Sequence, residues 1–111
     1  MNVIWSESID AVLNVGVPLH DIGISNWALS REEALNAISQ LAQNKVAVLG
    51  GDVYVVSLNS FEHNYDNWFC DKQNEESEFE FLERSIGQAR SYIKNYNDQM
   101  ENVRFSLVPK T

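Results

Sequence analysis

The sequence feature that most constrains the fold is a pair of short apolar runs on either side of Gly50-Gly51-Asp52. The runs are Val46-Ala47-Val48-Leu49 and Val53-Tyr54-Val55-Val56, and both are rich in β-branched residues, which favour strands. Glycine adopts a positive φ without a Cβ clash, as tight hairpin turns require. The pattern therefore predicts two central strands joined by a turn at Gly50-Gly51-Asp52.

Two helices are predicted before these strands. Ser6 or Ser8 can cap a first short helix that ends before Gly16. Residues 17–29 mix turn residues with scattered apolar residues and predict a structured loop. A second helix begins after Ser30, whose side chain forms a capping box with Glu33, and Asn44 is suited to end it.

A third helix and a last strand follow the predicted hairpin. Residues 59–74 form a polar, aromatic-containing segment that predicts a loop, and the third helix is expected to begin near Asn74 or Glu75. Its apolar stripe consists of Phe79, Leu82, Ile86, Ala89, Ile93 and Tyr96. Residues 103–108 predict a strand that Pro109 ends. The resulting fold class is α+β, with a small antiparallel sheet (central hairpin plus C-terminal strand) packed against three helices.

Composition places the chain among ordinary globular domains. Its 111 residues, 44% of them hydrophobic, predict a single domain over 1–111 with a core of its own. Cys70 is the only cysteine, which excludes an intramolecular disulfide and fits a reducing cytoplasm. The first residues lack the basic and apolar regions of a signal peptide, and no apolar run is long enough to span a membrane. We therefore expect a cytoplasmic protein.

Net charge indicates the kind of partner. The formal charge is −8, which disfavours nucleic acid and anionic membranes as partners because their phosphates are repelled. A basic protein partner fits, since opposite net charge accelerates encounter. The alternative is that the charge serves only solubility.

The candidates for catalysis and metal binding are weak. Cys70 with His63 or His20 is the one conceivable nucleophile pair, and no spacing brings these residues together. Cys70 with Asp66, Asp71 and His63 matches no metal motif. The glycine turn resembles that of cyclic-dinucleotide cyclases, but the chain is shorter than a cyclase domain and the residues after the turn differ. We expect no enzymatic activity, no cofactor and no metal.

Residues 62–83 carry nearly all the net charge. Eight acids and one base, Lys72, give this segment −7 of the chain's −8. Aromatic residues are interleaved with the acids, as in protein-binding hot spots. The competing interpretation is that the aromatics close the end of the core while the acids solvate the surface. The predicted partner-binding residues are Glu62, Tyr65, Asp66, Trp68, Asp71, Glu75 and Glu76.

Three stretches in one order resemble a known family. They are an Ala-Leu-rich helix running into residues 46–54, then Asn67-Trp68-Phe69-Cys70-Asp71, then a long helix with Ser85, Ala89 and Tyr92-Ile93. Over residues 27 to 96 the chain resembles the immunity protein 40 family of bacterial polymorphic toxin systems. The resemblance implies a cytoplasmic bacterial protein that binds and neutralises the toxin domain encoded beside it, without enzymatic activity or cofactor.

The resemblance leads to one hypothesis about mechanism. Many such toxins are nucleases with basic substrate sites, which an acidic, aromatic-containing surface could occupy by mimicking phosphate charge. The alternatives are a non-enzymatic adaptor or regulatory module that binds another basic protein, and a small enzyme that uses Cys70 or the carboxylates.

Overall fold

The computed structural model describes residues 3–58, 60–97 and 102–111. Within these residues the helices are α1 (Glu7–Leu13), α2 (Arg31–Gln43) and α3 (Glu78–Asn95). The strands are β1 (Val17–Pro18), β2 (Trp27–Ala28), β3 (Val48–Ser57), β4 (Ser60–Phe69) and β5 (Val103–Pro109). A short 3₁₀ turn, His20–Ile22, separates β1 from β2.

The main sheet has the strand order β4-β3-β5, and both pairings are antiparallel. The predicted fold class is confirmed, because a hairpin and the C-terminal strand form a small antiparallel sheet that packs against helices. The segment predicted as a loop over 17–29 contains the small β1-β2 pair. It is joined to β5 through the Leu29–Phe105 bridge.

The predicted position of the hairpin turn is wrong. Gly50, Gly51 and Asp52 lie inside β3, and the chain reverses between Ser57 and Ser60, which pair with each other. The glycines are needed for close approach. A Cβ on Gly51 would collide with the Ser106 carbonyl oxygen and the Trp68 ring. A tertiary contact therefore replaces the turn as the reason for glycine.

The helices cover one face of the sheet. The buried side chains there come from all three helices and from the sheet residues Val48, Val53, Trp68, Val103, Phe105 and Leu107. Two predicted helix caps are confirmed: Ser6 caps α1, and the Ser30–Glu33 capping box begins α2. This layer is the main hydrophobic core.

The opposite face of the sheet is covered in part by the segment between β1 and β2. Leu19 and Ala28 bury the Tyr54 side chain, and the half-buried Ile24 and Phe61 pack beside them. Two layers therefore enclose this part of β3. Phe69, at the far end of β4, is 71% exposed.

Helix α3 begins later than predicted. Its N-cap is Ser77, which forms a second capping box with Glu80, so residues 74–76 precede the helix. The buried stripe is shifted accordingly: Phe81 and Ser85 point inward, whereas Phe79 is 65% exposed. Ser85 is satisfied there, because its Oγ accepts the Val48 N–H at 3.2 Å and donates to the Leu82 carbonyl at 3.1 Å.

Candidate functional site

Strand β4 lies at the edge of the main sheet and contains four of the seven predicted partner-binding residues: Glu62, Tyr65, Asp66 and Trp68. The prediction of a loop over residues 59–74 is wrong for this part of the chain. Polar residues dominate the strand because only its inner edge pairs, with β3, and most of its side chains face solvent. We call the exposed residues Glu62, Tyr65, Asp66, Asn67 and Phe69 the β4 surface.

A bulge interrupts the middle of β4. His63 pairs with Tyr54 and Asn67 pairs with Asp52, so three residues of β4 stand opposite the single residue Val53. Extra residues of this kind bend an edge strand and redirect its side chains. The bulged residues, 64–66, include two of the predicted site residues.

Tyr65 has a positive φ of 71° and its side chain is 82% exposed. Its backbone N–H donates to Nδ1 of His63 at 2.7 Å, and its ring centroid lies 5.1 Å from that of His63. His63 is itself supported by Asp52, whose Oδ1 lies 3.4 Å from Nε2, and by an edge contact with Tyr54. The exposed Tyr65 ring therefore packs beside a histidine that Asp52 and Tyr54 hold in place.

Asp66 is connected to helix α3. The Tyr96 hydroxyl, at the C-cap of α3, donates to Asp66 Oδ2 at 2.5 Å and accepts from Asn64 Nδ2 at 2.8 Å. Burial, and secondarily the bond to Asp66, raise the pKa of Tyr96. The Asp66 N–H also donates to Asn64 Oδ1 at 2.9 Å. Side chains from two elements thus fix the second half of the bulge.

Trp68 lies in the core, unlike its neighbours on β4. It is 6% exposed, its ring stacks on Tyr92 at a centroid distance of 4.6 Å, and it covers Gly51. Its indole Nε1 has no hydrogen-bond partner among the described residues. The sequence leaves two interpretations open for Trp68, a partner contact or a residue that closes the end of the core, and this burial supports the second.

Glu76 is held in an ion pair. Arg84 of α3 donates from Nε and Nη2 to the two Glu76 carboxylate oxygens, at 2.6 Å and 2.8 Å. The same guanidinium donates to the Asp71 carbonyl at 2.6 Å and contacts Cys70 Sγ at 3.1 Å. The Arg84 hydrogen bonds lower the pKa of Glu76 to about 2. The ion pair connects the loop before α3 to that helix, and the Glu76 charge is paired within the protein.

The acidic segment is therefore divided into two parts. Glu62 and Asp66 are exposed on β4, whereas Asp71 and Glu75 are exposed in the loop that Arg84 fastens. Further along, the Lys110 ammonium lies 2.9 Å from the Glu78 carboxylate and lowers its pKa. Of the seven predicted site residues, Tyr65 and Asp66 share the bulge, and Trp68 and Glu76 are engaged within the protein.

Comparison with known families identifies the chain. The family described as Immunity protein 40 matches residues 18–109, which is most of the sequence. The chain belongs to the immunity protein 40 family. No curated protein matches it. The family resemblance drawn from residues 27 to 96 is therefore confirmed over a longer range.

In this member of the immunity protein 40 family, His63 and Cys70, one of the pairs considered from sequence, do not lie together. His63 pairs with Tyr54, whereas the Cys70 N–H donates to the Leu49 carbonyl. Leu49 and Tyr54 are five residues apart on β3, which separates the two positions by roughly 16 Å along the strand. Among residues 3–58, 60–97 and 102–111, no three His, Cys, Asp or Glu side chains cluster as metal ligands would. In the same part of the chain no helix is long and apolar enough to cross a membrane.

Two concavities among the described residues lie away from the β4 surface. One of about 650 Å³ is lined by residues at the start of α2 and of β5, including Arg31 and Arg104. Another of about 520 Å³ lies beside the exposed Phe79, between Lys45 and Lys110. Neither is lined by a predicted site residue in this immunity protein 40 family member.

Proposed function

We propose that this protein is an immunity protein that binds the toxin domain encoded beside it and thereby neutralises that toxin. The observation that carries the proposal is the match to the immunity protein 40 family over residues 18–109. In this proposal the protein acts in the bacterial cytoplasm as a binding protein, with no enzymatic activity and no cofactor. The free, buried thiol of Cys70 agrees with a reducing compartment.

The contact surface that we propose comprises the β4 surface and the acidic loop that follows it. Glu62, Asp66, Asp71 and Glu75 are exposed and none of them forms an ion pair with a described residue, so their charges are available to a partner. Lys72 is the only lysine or arginine between Lys45 and Arg84, so little positive charge in this stretch of sequence opposes them. The proposed partner face is therefore basic.

Charge complementarity of this kind supports neutralisation in two ways. It accelerates encounter with a basic toxin, and it aligns the two surfaces by penalising other orientations. If the toxin is a nuclease, its phosphate-binding site is basic, and the exposed carboxylates would cover that site and exclude the nucleic acid. The same surface serves any toxin whose active face carries lysine and arginine.

The test is a neutralisation assay with a charge-matched control. Bacteria that express the adjacent toxin domain should grow only when the wild-type chain is co-expressed. Neutralising three proposed contact acids (Asp66→Asn, Asp71→Asn and Glu75→Gln) should abolish protection and reduce the salt dependence of binding. The control neutralises three exposed acids elsewhere: Glu7→Gln, Asp21→Asn and Glu32→Gln.

The outcomes test the toxin-binding function and the proposed contact surface separately. Loss of protection with the contact variant alone supports both the toxin-binding role and its surface. Equal protection by the two variants would refute the acidic surface. Absence of protection by the wild type would refute the immunity function, and a basic partner other than a toxin would then support an adaptor role.

A further inference from the structure

Tyr65 combines a positive φ with a largely exposed aromatic side chain inside a strand. A tyrosine with φ of 71° is in the left-handed region, which residues with a Cβ rarely occupy. Its side chain contributes nothing to the three buried clusters and is 82% exposed. An unfavourable backbone conformation therefore displays an aromatic ring to solvent, at the bulge of an edge strand.

The surroundings of Tyr65 hold it in this position. Its N–H donates to His63, and its carbonyl accepts from Asn67 Nδ2 at 3.2 Å. The His63 ring stands beside the Tyr65 ring with a tilt of 32° and is braced in turn by Asp52. Because the ring is positioned before any partner arrives, little conformational freedom is lost on binding.

The bulge also decides how a partner can approach β4. An uninterrupted edge strand can pair with a strand of another protein, and the extra residues of a bulge break the regular hydrogen-bond spacing that such pairing needs. The bulge spans residues 64–66, near the middle of the ten-residue strand. The bulge therefore favours recognition by side chains at this edge, and Tyr65 is a largely exposed aromatic residue there.

The charges around Tyr65 define the complementary group. Glu62 and Asp66 are exposed on the same strand, and Asp52 lies beneath the neighbouring His63. The Asp66 Oδ1 atom has no hydrogen-bond partner among the described residues, since Tyr96 engages only Oδ2. An exposed aromatic face on a strand with this negative charge favours a cation over an anion or a neutral side chain.

We propose that Tyr65 is the anchor of the toxin interface and that its open ring face receives a lysine or arginine side chain of the toxin. Phe69, four residues along the strand and about 13 Å away, provides a second exposed contact on β4. The negative charge of Glu62 and Asp66 on the same strand attracts that cation towards β4. This inference rests on the proposed immunity function and specifies where on the surface affinity is concentrated.

The test measures the affinity of the adjacent toxin domain for four proteins by calorimetry. Tyr65→Asn removes the ring but retains a residue that tolerates a positive φ, so the bulge is preserved. Tyr65→Phe keeps the ring face. Phe79→Ala is the matched control, because Phe79 is an exposed aromatic residue on α3, outside the β4 surface.

The expected result is a loss of at least about tenfold in affinity for Tyr65→Asn, as for a hot-spot residue, with Tyr65→Phe and Phe79→Ala close to wild type. Unchanged melting temperatures confirm that the variants are folded. Wild-type affinity of Tyr65→Asn, or a loss confined to Phe79→Ala, would overturn the anchor while leaving the immunity function intact. Failure of the wild type itself to bind the toxin would instead overturn the proposed function, and the anchor with it.

Discussion

Arg84 and Glu76 form a two-point ion pair in which Nε and Nη2 donate to separate oxygens of one carboxylate, at 2.6 Å and 2.8 Å. This geometry is stronger and more specific than a single contact between exposed charges. It connects the loop after β4 to helix α3. Glu76 therefore has a structural role within a strongly acidic segment. The neighbouring Glu75 stays exposed and makes no such pair with the described residues.

The ion pair predicts a pH-dependent contribution to stability. The pKa of Glu76 in the folded state is about 2, compared with an ordinary value of 4.5, so folding favours the charged form. The contribution is fully present above pH 4.5 and is lost as the pH falls towards 2. Urea unfolding should therefore show Glu76→Gln less stable than wild type at pH 7, with the difference shrinking over that acidic range.

Glu75→Gln is the matched control for this measurement, since it makes the same chemical change one residue away. It should leave the urea midpoint nearly unchanged at pH 7, because an exposed charge contributes little. A constant difference between Glu76→Gln and wild type from pH 7 to pH 2 would contradict the ion-pair explanation.

Two glycines should respond in opposite directions to alanine. Gly51→Ala introduces a Cβ against the Ser106 backbone and the Trp68 ring, and we expect it to destabilise the fold by about 1–3 kcal/mol or more, as overpacking does. Gly87 lies in α3 with open space at its Cβ position, so Gly87→Ala should stabilise by about 0.5–1 kcal/mol. Chemical denaturation measures both, and a neutral Gly51→Ala would show that the close approach is unimportant.

Adjacent aromatic residues of β4 provide a further test of the packing. Trp68→Ala should reduce the free energy of unfolding by about 3–5 kcal/mol, because the ring is buried against Tyr92 and Gly51. Phe69→Ala should change it by less than about 0.5 kcal/mol, because that side chain is largely exposed. If Trp68→Ala and Phe69→Ala lowered the free energy of unfolding equally, in thermal and urea unfolding, Trp68 would not be the core residue described above.

Local signals in the sequence predicted the elements that depend on local interactions. The capping box of Ser30 and Glu33 needs only four consecutive residues, and it was found. The equivalent box of Ser77 and Glu80 is equally local, although the predicted helix start lies at Asn74 or Glu75, two or three residues before Ser77. The inward position of Ser85 was hidden for a different reason, since its polar side chain is satisfied by Val48 from β3.

Features that depend on distant contacts could not be predicted. Gly50-Gly51-Asp52 has the composition of a turn, and only the approach of Trp68 and Ser106 explains glycine within a strand. Strand β4 was interpreted as a loop because an edge strand needs few apolar residues.

The candidate site was predicted in part. The concentration of charge in residues 62–83 was evident from composition, and Tyr65 and Asp66 are indeed exposed. Sequence could not reveal that Arg84, eight residues beyond Glu76, engages that acid, or that Trp68 turns inward while Phe69 turns outward. Both depend on the position of α3 over the sheet.

The most direct test of the proposed immunity function is a calorimetric titration of the purified chain into the toxin domain encoded beside it, at low and at high salt. The account predicts saturable binding with a Kd below about 1 μM that weakens as salt concentration rises. No detectable binding at protein concentrations on the order of tens of micromolar would contradict the immunity function. Tight binding that does not respond to salt would contradict the acidic β4 surface as its basis.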